Sequence, residues 1–285
     1  MRSTMQQTTE PETMDGAKER SMAPTTTTTA QQAGRRDADA HEHQKSGHSS
    51  YARILPAFRL QFVVPQLIWV PAIVLAASWG LAVGIGLWIS ALVEDRVPVE
   101  EPIYTGAAQA VLWCLVFMAA YSGTHTFPFA LALSYSRRVY LIGALLAFLA
   151  VSLGYGVAAA GGAALEEATD GFGAHVYVFA LPYLLTDGFI ALGAMATTAS
   201  MLVMLAGFGA AMLYKRFSVT VTWTVIIGLV AVLAVAAMLL WQADAWPTVW
   251  QWMTEQTPWR IAGWLVTPVV ALALVDYWLI RRATP

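Results

Sequence analysis

The chain is poor in charge, poorer in lysine, and holds a single cysteine. Asp, Glu, Lys and Arg make up 12% of its 285 residues, against about 25% in soluble domains. The deficit is deeper than this figure, because residues 1–50 are polar and carry many of the charges. The remainder, 51–285, reads as a membrane domain. Cys114 sits in an apolar run, so no internal disulfide can form and no thiolate metal site is expected. It reads as a small buried hydrophobe. The net charge of −2 says little, because charge here is sorted by side of the membrane.

Lysine occurs only at 18, 45 and 215, and none of the three follows a glycine. A phosphate-cradling loop ending in Gly-Lys-Ser/Thr is therefore excluded, and any ATP hydrolysis must come from a partner. There is no His-Glu-x-x-His zinc motif, since His41-Glu42-His43 has the wrong spacing. A Gly-x-Ser-x-Gly nucleophile elbow is absent too. With His48, the two tail histidines lack acidic or Cys ligands at fixed spacing, so metal binding is not expected there. The chain reads as a non-enzyme with no cofactor of its own, and nothing in it points to nucleic acid.

Residues 1–50 are rich in Thr, Gln, Ala and Ser and almost free of large apolar side chains. Such a segment cannot bury enough surface to offset its ordering entropy, so it reads as a disordered tail. Six long runs follow: Leu60–Val93, Pro102–Ser136, Val139–Leu165, Gly188–Tyr214, Phe217–Ala243 and Ile261–Ile280. About 20 apolar residues cross a bilayer as a helix. The runs lack alternation of period two, which excludes barrel strands and leaves an all-α, multi-pass membrane protein with six spans.

Basic residues mark every second boundary. Arg53 and Arg59 precede span one, Arg137 and Arg138 lie between spans two and three, Lys215 and Arg216 between four and five, and Arg281 and Arg282 after six. The other boundaries are acidic, with Glu166, Glu167 and Asp170 after span three. The positive-inside rule then places both termini in the cytoplasm. Trp246, Trp250, Trp252 and Trp259 crowd the last outer loop and read as interfacial anchors.

No ionisable group falls at the centre of a predicted span, which argues against an ion-coupled carrier. Asp276 is expected to snorkel to the inner surface and pair with a terminal arginine. Asp187 is expected either to cap span four, where a helix dipole favours negative charge, or to be solvated at its outer entry. His125, at the inner end of span two, is expected to face a polar interface. Gly80 and Gly84 form a small-xxx-small pair that permits close approach of another helix.

The second run is longer than one span, and Pro128 is expected to break its last residues from the rest. In that stretch Leu131-Ala-Leu133-Ser-Tyr-Ser136-Arg137-Arg138, followed by Tyr140-Leu141-Ile142-Gly143, resembles the turn between spans two and three in permease subunits of ABC transporters of the type-2 exporter class. That family reads roughly Pro, an apolar pair, Pro or a small residue, then Ser-Arg-Arg; this chain has Ser134 where Pro is usual. The Glu166–Gly173 loop and the Arg281-Arg282 tail are similar to a subgroup of small bacterial permease-like proteins. The resemblance implies a bacterial plasma-membrane permease that pairs with a second copy or a paralogue and docks a cytosolic ATPase. It also implies a coupling helix over Phe127–Tyr135 ending in Ser136, Arg137 and Arg138. Phe127, Phe129 and Tyr135 would be its apolar anchors, and Gly80 and Gly84 would serve the dimer face. Two other classes stay open: an ATP-independent carrier or channel, and a membrane assembly or sensory protein without transport.

Overall fold

A computed structural model describes residues 53–63, 66–93 and 102–282. The expected disordered tail, residues 1–50, lies outside the described residues, as do Glu94 to Glu101. The chain is built of helices. A short helix α1 (Ile54–Gln61) precedes the first span, α2 (Gln66–Val93). Span two is α3 (Ala108–Tyr121), a π-helical turn Ser122–Thr126, and α4 (Phe127–Ala132), which run on without a break. Span three is α5 (Arg137–Ala168), span four α6 (Phe189–Arg216) and span five α7 (Val219–Gln242). A short helix α8 (Trp246–Thr254) leads to span six, α9 (Pro258–Arg282). All six spans are long and apolar enough to cross a bilayer. The chain is membrane-embedded and multi-pass.

The second apolar run departs from expectation at both ends. Its first residues are extended: β1 (Ile103–Tyr104) pairs in parallel with β2 (Val176–Tyr177), Ile103 opposite Val176. Its last residues do not separate at Pro128. Proline cannot donate to the carbonyl four residues back and its ring crowds that carbonyl. The wider π turn immediately before it absorbs the misfit, so the helix continues through to Ala132.

Span four is the hub, packed along α3, α5 and α9. Met204, Leu205, Phe208 and Met212 on it are fully buried, and Phe208 meets Phe148 of α5 edge-to-face at 5.6 Å. Lipid tails are as apolar as leucine, so helices in a membrane associate where small residues let backbones approach. A Cβ at Gly156 would strike Thr197 and approach Gly193 O at 2.5 Å; one at Gly207 would strike the Val116 carbonyl. Span five is the opposite case, with no buried residue along its length.

The basic boundaries gather at one end of the bundle. Arg137 at the start of α5 touches the last carbonyls of α9. Arg216 lies over Trp278 at 3.8 Å. Ala57 of α1 is so close to Gly143 that a Cβ there would come within 2.8 Å of its backbone. A buried polar knot joins these elements. Ser122 Oγ donates to Gln61 Oε1 at 2.7 Å, and Tyr140 donates to the Ser122 carbonyl at 2.8 Å. The knot ties α1 and span three to the π turn of span two.

Candidate functional site

The turn between spans two and three is built by two capping devices back to back. Span two ends in a Schellman motif: Ser134 N–H donates to Leu131 O at 3.0 Å and Tyr135 N–H to Ala130 O at 3.1 Å. Ser134 takes the left-handed position, at φ 61°. A proline there could neither reach that φ nor supply the N–H, which accounts for serine at this place. Span three then starts at Ser136, whose side chain accepts from Val139 N–H at 3.3 Å.

The six residues singled out for this turn separate into two groups. Phe127 is fully buried, its ring 5.3 Å from Tyr140, so it belongs to the core of the hairpin. Tyr135 is half-buried against that core. Arg137 donates to Arg281 O at 3.0 Å and Ile280 O at 3.4 Å. It places a cation on the negative end of the span-six helix dipole. Phe129, Ser136 and Arg138 are exposed, and Leu133, which the sequence reading passed over, stands beside them at 49% exposure. Phe129, Leu133 and Arg138 are thus two exposed apolar groups and one exposed cation at a turn that is internally braced.

One carboxylate is placed otherwise than expected, and a second is exposed without capping its helix. Asp276 does not snorkel to an arginine. It is fully buried, neither oxygen has a hydrogen-bond partner, and a Cβ on Gly209 of α6 would lie 2.5 Å from its Oδ1. The terminal arginine it was expected to meet, Arg281, sits over the Tyr277 ring instead, at 5.7 Å. Asp187 does not cap its own helix, whose N-cap is Gly188. Its Oδ2 accepts from Trp259 N–H at 3.4 Å, at the first turn of α9. His125 is exposed and stacked on Tyr121 at 4.3 Å. Gly80 and Gly84 are exposed, with nothing within 4 Å of a Cβ at either.

At the opposite end, Glu166 organises the segment joining spans three and four. It is fully buried. Its Oε2 accepts from the backbone N–H of Val178 at 3.1 Å, Phe179 at 2.9 Å and Ala180 at 2.8 Å. Its Oε1 accepts from Trp79 Nε1 of span one at 2.8 Å. Next to it, between β1, α3, α5 and α6, lies a cleft of about 470 Å³. A second cleft, of about 330 Å³, opens between α2, α3 and α5 and is lined almost wholly by apolar groups. The sequence signalled Glu166 only as one charge in an acidic boundary. No protein-family model, curated protein or solved structure matches the chain.

Proposed function

We propose that this chain is the permease subunit of an ABC-type exporter in a bacterial plasma membrane, working as a pair and energised by a separate cytosolic ATPase. Its basic end faces the cytosol by the positive-inside rule. The observation that carries the reading is the exposure of Phe129, Leu133 and Arg138 at a braced turn. Two capping motifs, the buried Phe127–Tyr140 contact and the Arg137 bonds to span six make the turn stiff. A push on it is therefore delivered to spans two, three and six together. Nucleotide state can bias the permease only through contacts that differ between its two shapes, and a stiff turn passes on such a difference with little loss.

Arg137 is a poor test residue, because removing it uncaps span six whether or not an ATPase binds. Phe129→Ala and Arg138→Glu leave the interior alone. Each is expected to reduce ATPase co-purified from native membranes about tenfold, the loss typical of an interface anchor, with melting unchanged. Failure of any ATPase to travel with the folded wild type would overturn the assignment. A second reading, an ATP-independent carrier, draws on one observation: Asp276 is a buried, unpartnered carboxylate inside a span, and such groups commonly mark ion pathways.

A further inference from the structure

We infer that the cleft between β1, α3, α5 and α6 is a binding site for an uncharged amphiphile. Its volume of about 470 Å³ lies in the range of small-molecule sites. Its polar groups are Tyr104, Thr105, Gln109, Tyr155 and Tyr183, and no charged residue lines it among the described residues. A charged headgroup would enter unpaired and desolvated, at high cost. A hydroxyl or amide headgroup would find partners.

One polar group in the wall is unsatisfied. Thr105 lines the cleft, and its Oγ1 is buried with no hydrogen-bond partner. Its backbone is held in place, since its N–H donates to Tyr177 O at 3.0 Å. Buried hydroxyls are ordinarily satisfied, and an exception calls for a ligand or water. Tyr155 donates its hydroxyl hydrogen to Ala108 O at 3.2 Å, which leaves its oxygen free to accept. Leu112, Leu192 and Met195 supply the apolar part of the wall. The neighbouring 330 Å³ cleft lacks this mixture and has little with which to orient a headgroup.

The wall is also fixed in advance. Val178 and Phe179 line the cleft, and both donate their N–H to Glu166. Glu166 is thus a positioning residue for the site, acting through the backbone. Preorganisation of this kind reduces the ordering cost of binding. Binding here needs no ATPase, so it is separable from the role proposed for Arg138.

The test uses the full chain in lipid nanodiscs and three photoreactive probes with hydrocarbon chains of the same length: a monoacylglycerol, a fatty acid and an alkyl trimethylammonium. Cross-linked peptides are read by mass spectrometry. The monoacylglycerol is expected to label the peptides holding Tyr183 and Met195 saturably and well above both charged probes. Thr105→Val keeps the shape but removes one neutral hydrogen bond, so apparent affinity should fall about fivefold. Ala199→Trp, on the half-buried wall, should abolish the label. Equal labelling by all three probes would overturn the inference. So would a monoacylglycerol label that survives both substitutions, since that describes contact with bulk lipid.

Discussion

Glu166→Ala is expected to destabilise the chain by several kcal/mol, because several buried donors lose their acceptor at once. The alanine leaves four donors behind: the N–H groups of Val178, Phe179 and Ala180, and the indole N–H of Trp79. Each buried donor left without a partner carries a desolvation penalty of about 1–3 kcal/mol. Among the described residues, no other carboxylate bonds to these donors. Glu166→Gln is the sharper comparison. Its amide keeps the size but has one accepting atom, so whichever way it turns, an NH2 group faces a donor. It should fall between wild type and alanine, losing about 1–3 kcal/mol. The check is thermal unfolding in nanodiscs together with protease cleavage between residues 169 and 188. A Glu166→Ala protein that melts like wild type, with its loop still protected, would remove Glu166 from this role.

Glu166 also marks where the sequence stops being legible. The six spans follow from run length alone; the structure returns the last four within a few residues and shortens the first two. Val219–Gln242 answers to Phe217–Ala243, and Phe189–Arg216 to Gly188–Tyr214. Length and hydropathy are summed properties, so single-residue detail does not blur them. The fate of one carboxylate depends instead on where the chain returns. Glu166 is buried because residues 178–180 fold back onto it and Trp79 arrives from span one, 87 positions earlier in sequence. Asp276 misled for the same reason. Five residues from Arg281, it is near enough to pair along the helix, yet Gly209 on another span opens a place for it inside. In the arginine turn, the sequence could not separate Arg137, held by span six, from Arg138, which is exposed.

Gly207→Leu and the pair Gly80→Leu and Gly84→Leu are expected to act in different ways, and the contrast tests the proposed pairing through span one. A Cβ on Gly207 would run into the backbone carbonyl of Val116 on span two, which cannot swing aside as a side chain can. Even alanine there forces spans two and four apart, at about 1–3 kcal/mol for overpacking. Leucine should prevent the bundle from closing. Gly80 and Gly84 meet nothing within 4 Å in the chain itself. Replacing glycine in a helix also gains up to about 1 kcal/mol in propensity. The folded single chain should therefore melt no lower than wild type. If span one is the contact face for a second copy, leucine must fill the space that the partner helix needs. The variant would then lose any dimer that native mass spectrometry detects for the wild type, while keeping its melting temperature. A dimer that persists in Gly80→Leu/Gly84→Leu would move the contact elsewhere, and span five, with no buried residue of its own, would be the next face to block.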